Sequence, residues 1–377
     1  MTTLDIGLLS VTVSETYVPF PDSVLGRRLI VYGAGGLYDS FATFVLSRFG
    51  VTPNLIIDKK YIEGANFGHS SPDHFFEEGW TQVSKNDLIV ICLGNDQLFS
   101  GIKQQFISLG FEDVRSAYDI YEYNLIYADE EFARNPVTLY RKEWAKLAHV
   151  YALLQDALSR DTYYKYLRTH IERLRPHFAP ASYPYQYTPS DLPLIREGIR
   201  LLNCGAYTGD TIENFIRNYG SVEFVCALEP DSENFEKLSK NTVIRDGCAA
   251  TILLPLGASN QNSTCLFESG NGMISRVSES SNEKTSIVQI VKLDTILNGL
   301  NFNKVVIDTE GHEMAILDGM RQIIRASSPD LCVACYHYPE DIFQIALLIE
   351  SIQPKYKFYL RNYSSVCVDT VLYATLQ

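Results

Sequence analysis

Ile199-Arg-Leu-Leu-Asn-Cys-Gly-Ala-Tyr-Thr-Gly-Asp210 reads as an apolar run that stops at one glycine, turns through a second and opens into Thr211 to Tyr219 at helical spacing. That is the pattern of a strand delivering its carboxyl end into a Gly-x-x-x-Gly turn and a helix amino terminus. Gly205 leaves out a Cβ where a ligand would approach the backbone, and the N–H groups and dipole of the helix start favour an anionic group. The next apolar run, Val222-Glu-Phe-Val-Cys-Ala-Leu228, ends at Glu229, where a carboxylate can accept both hydroxyls of a ribose. Taken alone, the same residues also describe a tight strand-to-helix turn followed by a solvated acid.

Upstream, a second unit of the same kind starts at Arg28-Leu-Ile-Val-Tyr-Gly33, continues through the helical stretch 40–48, and is followed by Asn54-Leu-Ile-Ile-Asp58 and Asp87-Leu-Ile-Val-Ile-Cys-Leu93. Strands alternating with helices predict a parallel sheet. The turn Gly33-Ala-Gly-Gly-Leu-Tyr38 has Tyr38 where a dinucleotide fingerprint needs its third glycine, so that fingerprint is incomplete. Between the units, Leu147, Val150, Tyr151, Leu154 and Leu158 recur at helical spacing, and five prolines from Pro176 to Pro193 interrupt any regular element before the second unit. The expected organisation is a Rossmann-like domain at 1–128, a helical connector at 129–178 and a larger α/β domain at 179–377.

Composition narrows the function. The chain has 377 residues, of which 46% are hydrophobic and 20% charged, a globular composition with material for large cores. Lys and Arg number 32 against 45 Asp and Glu, and a net charge of -13 argues against a nucleic-acid partner. Eight cysteines, most within apolar runs, indicate buried thiols rather than a disulfide framework. The amino terminus lacks the basic and apolar segments of a signal peptide and no stretch is long enough for a membrane span, so a cytoplasmic location is expected.

Six motifs in one order then carry a resemblance: Asn203-Cys-Gly-Ala-Tyr-Thr-Gly-Asp210, Glu229-Pro-Asp-Ser-Glu-Asn-Phe235, Leu254-Pro-Leu-Gly-Ala-Ser259, Val291-Lys-Leu-Asp-Thr-Ile-Leu297, Ile307-Asp-Thr-Glu-Gly-His-Glu313 and Tyr336-His-Tyr-Pro-Glu-Asp341. Over about residues 140–377 the chain resembles the FkbM family of S-adenosylmethionine-dependent methyltransferases. The resemblance implies a Rossmann-like seven-stranded class I methyltransferase sheet, parallel except for its last strand, ending in a hairpin of Lys357–Leu360 and Thr370–Ala374. It implies cofactor contacts from Asn203, Gly205, Ala206 and Gly209 to the methionine and ribose portion, from Glu229 to the ribose hydroxyls, and from Gly257 and Ala258 near the adenine. Asn203 stands where such families usually carry an acid, which keeps hydrogen bonding but removes a charge.

Methyl transfer to a hydroxyl needs an in-line acceptor and a base, and both belong at strand ends. Val305-Val-Ile307 runs into Asp308 and Glu310, whose i, i+2 spacing places both carboxylates on one side if strand geometry persists. The apolar run Leu331 to Tyr336 ends at His337. In the family's strand order these ends are neighbours, so His337, Asp308 and Glu310 are the candidate catalytic residues, with His337 the expected base. The acids could equally cap the helix that begins near Glu313, and the trio could bind a divalent ion, although no metal is assigned from sequence. The expected activity is O-methylation of a sugar or a glycosylated or polyketide-type metabolite, with a small-molecule or carbohydrate partner and further copies of the chain admissible. The alternatives are a non-catalytic protein holding sugar nucleotides or a partner, and a nicotinamide enzyme using Gly33 to Asp58.

Overall fold

The structure, a computed structural model, describes residues 4, 20, 22–59, 68–117, 120, 136–172, 185–268, 276–278, 285–364 and 367–377. Pro176 and the following residues to 184 of the proline-rich lead-in lie outside them. Contacts divide the chain into two units: Ile6–Lys142 with Leu167–His177, and Met1–Asp5, Glu143–Tyr166 and Phe178–Gln377. No helix among the described residues is long and apolar enough to cross a membrane.

The first unit holds a wholly parallel sheet of β1 (Leu29–Tyr32), β2 (Leu55–Ile57), β3 (Gly68–Ser70), β4 (Leu88–Ile91) and β5 (Asp113–Ser116), in the order β3-β2-β1-β4-β5. Its inner strands are apolar on both faces because helices cover both, and two separate clusters result. Ile30, Ile89, Phe75 and Phe106 fill one; Val31, Val90, Phe41 and Val45 fill the other. After β1 the chain turns at Gly33 (φ 93°), and the Asp58 carboxylate at the end of β2 accepts the Ala34 N–H at 2.8 Å.

The second unit contains a seven-stranded sheet of β6 (Arg200–Cys204), β7 (Phe224–Leu228), β8 (Thr251–Leu254), β13 (Lys304–Ile307), β14 (Asp330–Ala334), β15 (Lys357–Asn362) and β16 (Thr370–Thr375). Its order is β15-β16-β14-β13-β6-β7-β8, and only β16 runs antiparallel to its neighbours. This is the sheet and terminal hairpin that the resemblance implies. Order reverses at β6, so the carboxyl ends of β6, β7 and β13 open a crevice where ligands bind in open α/β sheets. The amino ends of β13 and β14 are joined by a fully buried ion pair, Lys304 Nζ to Asp330 Oδ2 at 2.8 Å, and the same oxygen accepts the Ile195 N–H at 2.6 Å. At the opposite edge Arg361 of β15 reaches Asp156 and Asp191, tying the helix Ala157–Glu172 to that strand.

A separate four-stranded sheet adds β9 (Gly257–Ser259), β10 (Ser263–Glu268), β11 (Arg276–Ser278) and β12 (Thr285–Lys292), in the order β11-β10-β12-β9. Gly257 and Ala258 therefore do not prolong β8, which stops at Leu254; they pair with Ile290 and Val291 of β12. Gly257 fits there because a Cβ would lie 2.9 Å from the Ile290 Cγ2.

Candidate active site

The glycine turn is shaped first by the protein itself. Gly205 (φ 79°) sits so close to β13 that a Cβ would meet the Asp308 carbonyl oxygen at 1.9 Å, and Gly209 (φ 98°) packs under Leu238 and Ile244. The missing side chains thus serve backbone packing and left-handed geometry, besides leaving room on the crevice side. The Gly205 and Ala206 N–H groups both donate to the Leu228 carbonyl, at 3.1 and 3.0 Å, stitching the turn to the end of β7.

Glu229 completes that stitch. Its Oε2 accepts the Tyr207 N–H at 2.8 Å and its Oε1 accepts the Asp231 N–H at 2.9 Å, while Asp231 in turn caps the helix Ser232–Ser239 through the N–H groups of Glu233 and Asn234. Burial raises the Glu229 carboxyl to about 7, and the donated N–H groups only partly offset it. Asn203, one residue before the end of β6, is fully buried between Ala227 and Val306 in the register. Neither its amide nitrogen nor its oxygen has a hydrogen-bond partner among the described residues. An unpaired buried amide costs about 1–3 kcal/mol, an unusual burden for a core strand.

Beside the turn lies a mainly apolar cleft with about 410 Å³ of space open to solvent. Gly205, Leu228 and Pro230 line one side, Gly257, Ala258, Cys265, Val288 and Ile290 of the smaller sheet another, and Thr309 with His312 a third. His312 Nε2 stands 3.1 Å from the Ser259 hydroxyl, and burial lowers its pKa, so the ring is neutral.

The loop that supplies Thr309 and His312 carries Asp308 and Glu310 as well. Strand geometry does not persist past Ile307: Glu310 (φ 54°) and Gly311 (φ 98°) are both left-handed. The i, i+2 expectation therefore fails as a backbone argument, yet the tight turn brings both carboxylates to the same nitrogen, with His337 Nε2 3.6 Å from Asp308 Oδ1 and 3.6 Å from Glu310 Oε2. Glu313, at the start of the helix Glu313–Gly319, builds the turn. Its Oε1 accepts the Thr309 N–H at 2.8 Å and hydroxyl at 3.1 Å, and lies 3.1 Å from His337 Nδ1. Glu313 thus orients the loop, and among the described residues no side chain does the capping that the sequence left open to Asp308 and Glu310.

His337 follows β14 by three residues and is 8% exposed. Burial works against its charge, but Glu313, then Glu310 and Asp308, outweigh it and raise the imidazole to about 10. The surrounding carboxylates therefore favour the imidazolium, which must give up a proton before it can act as the expected base. Tyr187, a left-handed residue (φ 63°) from the lead-in segment, donates its hydroxyl to Asp308 Oδ2 at 2.6 Å, leaving Oδ1 without a partner among the described residues. Asp341 and Asp369 face the same cluster and are pushed up by burial, to about 8 and about 6. Tyr187, Glu313 and His312 are the site residues that sequence reasoning missed. Glu313 and His312, inside a recognised motif, left a signal there, and Tyr187 did not.

The profile of the methyltransferase FkbM domain matches residues 203–360, which span the glycine turn, Glu229, the cleft and the acidic loop. Among solved structures, methyltransferase FkbM from Methylobacillus flagellatus KT is similar over 94% of this chain and 92% of its own, at 19% identity and a TM-score of 0.70, which establishes the shared fold. Fibrillarin from Aeropyrum pernix, solved with S-adenosyl-L-methionine, overlaps 49% of this chain and 70% of its own at 13% identity and a TM-score of 0.32, too loosely to bear on function. None of the curated proteins compared with the sequence matches it. By its profile match and its sheet order, the C-terminal unit of the chain carries a methyltransferase FkbM domain at residues 203–360.

Proposed function

We propose that this unit transfers a methyl group from S-adenosylmethionine to a hydroxyl oxygen of a sugar or of a glycosylated or polyketide-type metabolite. One observation carries the reading: a single loop, 308–313, presents Thr309 and His312 to the apolar cleft and Asp308 and Glu310 to the acidic cluster. A bound nucleoside and an acceptor hydroxyl would thus meet across one turn of chain. The residues suit the cofactor. Leu228, Pro230, Ala258 and Ile290 offer apolar surface to an adenine, Glu229 retains acceptor capacity for ribose hydroxyls, and the unsatisfied Asn203 amide marks the turn as a polar site without its partner. When bound, S-adenosylmethionine supplies an electrophilic methyl on a sulfonium, and the surplus of carboxylates around it favours a cation.

Asp308 and Glu310 are the groups an acceptor meets first, because their side chains are 26% and 28% exposed whereas His337 lies behind them. They orient the hydroxyl and draw off its proton, while Glu313 and Tyr187 fix the loop and the Asp308 rotamer. Calorimetric titration with S-adenosylhomocysteine tests the cofactor half of the reading. Micromolar binding that Glu229→Ala abolishes is expected, and a folded wild-type protein with no adenosyl binding would favour a non-catalytic sugar-nucleotide or partner-binding role. Transfer of a labelled methyl group to a panel of sugars and glycosides tests the acceptor half.

A further inference from the structure

Three features of the acidic cluster belong together. The atoms His337 Nε2 and Asp308 Oδ1 are both buried, both lack a hydrogen-bond partner among the described residues, and face each other at 3.6 Å, with Glu310 Oε2 3.6 Å from the same nitrogen. That separation is too long for a hydrogen bond. It fits within the span of about 4.2 Å that a Mg²⁺ or Mn²⁺ ion bridges when it holds two donors at about 2.1 Å each. Behind these atoms, Tyr187 donates to Asp308 Oδ2 at 2.6 Å, and Glu313, itself anchored by Thr309, lies at an ion-pair distance of 3.1 Å from His337 Nδ1. An ion that displaces the Nε2 proton takes the lone pair so freed and leaves the other proton on Nδ1, facing the Glu313 carboxylate, an arrangement that recurs around metal-binding imidazoles. Glu313, Asp308 and His337 each bring a donor atom within 4.8 Å of the others, so the carboxylate behind the ring belongs to the same compact cluster. Three carboxylates against one imidazole leave a negative surplus even when the ring is charged, and Asp341 and Asp369 stand next to them.

We propose that Asp308 Oδ1, Glu310 Oε2 and His337 Nε2 form a site for one divalent cation of the Mg²⁺ or Mn²⁺ class, with Glu313 and Tyr187 as its supporting residues. Its remaining positions face the partly exposed side of Asp308 and Glu310, so a coordinated hydroxyl there is made more acidic. That acceptor role rests on the methyl-transfer reading; binding of the ion does not.

The test is titration of the full chain with Mn²⁺, following the loss of the free-ion electron paramagnetic resonance signal, on wild type, Asp308→Asn, Glu310→Gln and His337→Gln. Circular dichroism melting checks each fold, and Glu310→Gln, altering a part-exposed side chain, keeps the test alive if the buried substitutions unfold. One Mn²⁺ per chain is expected, with affinity falling at least tenfold in each folded variant and unchanged in Asp318→Asn, an acid elsewhere. Mn²⁺ that stays free at millimolar concentration, or binds the variants as it binds wild type, would overturn the site. It would leave His337 as an imidazolium among carboxylates. S-adenosylhomocysteine titration of the same metal-free samples reports the cofactor site separately, so the two readings fail independently.

Discussion

Acidifying the solution should release an adenosyl ligand through Glu229. This carboxyl is raised to about 7 by burial, and its two oxygens already accept the Tyr207 and Asp231 N–H groups, so it binds ribose hydroxyls best when ionised. With that pKa, roughly ten in eleven molecules are ionised at pH 8 and one in eleven at pH 6. The apparent affinity for S-adenosylhomocysteine should therefore drop about tenfold over that interval, equivalent to ~1.4 kcal/mol. Calorimetry at pH 6, 7 and 8 on wild type and Glu229→Gln measures it, the variant correcting for the ligand's own amine, which titrates near pH 8. Wild-type affinity should fall with acid relative to a weaker variant. Parallel profiles for the two proteins would refute the reasoning. The unliganded fold responds in the opposite sense. A carboxyl raised from 4.5 to about 7 favours folding while protonated, and that contribution, about 3 kcal/mol, is present below pH 4.5 and lost as pH rises through 7. Glu229→Gln should accordingly flatten the pH dependence of the melting temperature across that window.

Other substitutions separate packing from ligand recognition. Gly205→Ala forces a Cβ against the Asp308 carbonyl in a left-handed residue and should cost ~3 kcal/mol or more in chemical denaturation, whereas Gly209→Ala meets the movable end of Ile244 and should cost less; equal losses would contradict the contact argument. Asn203→Leu removes the unpaired buried amide and should stabilise the ligand-free protein by about 1–3 kcal/mol while weakening S-adenosylhomocysteine binding, with melting and calorimetry read on the same samples. Lys304→Met strands Asp330 in the core and should destabilise by about 3–5 kcal/mol, largely restored in the Lys304→Met, Asp330→Asn double variant because an asparagine oxygen still accepts the Ile195 N–H. A double variant no better than the single one would mean that the charge was not the cost.

The seven-stranded sheet was expected from the resemblance, and of its strands β6, β7 and β13 were legible in the residues themselves as short apolar runs ending at a glycine or an acid. Lys304–Ile307 and Asp330–Ala334 are buried throughout, as parallel strands between helical layers must be. The smaller sheet was not legible. Gly257–Ser259 has no strand signature of its own and becomes a strand only by pairing with Ile290–Lys292. At the site, residue types at strand ends pointed to Asp308, Glu310 and His337, but their convergence depends on the left-handed backbone of Glu310 and on Glu313 reaching back to Thr309. Tyr187 lies 121 residues from Asp308 in sequence, and periodicity cannot report such a contact. The raised pKa of His337 is likewise set by three carboxylates on another strand's loop, which residue identity alone does not report.

The close packing of Gly205 on the Asp308 carbonyl makes the glycine turn and the acidic loop one mechanical part. Neither can be retuned alone: a shift that enlarges the acceptor side of the loop drags the turn with it, and a bulkier turn pushes the acids away. Diversification of the acceptor must then come from walls not welded to that joint. Strands β10 and β12 of the smaller sheet are such a wall, since they touch the cleft through Cys265, Val288 and Ile290, whereas β9 is tied to the loop through Ser259 and His312. A chain built this way has a fixed anvil and an exchangeable jaw.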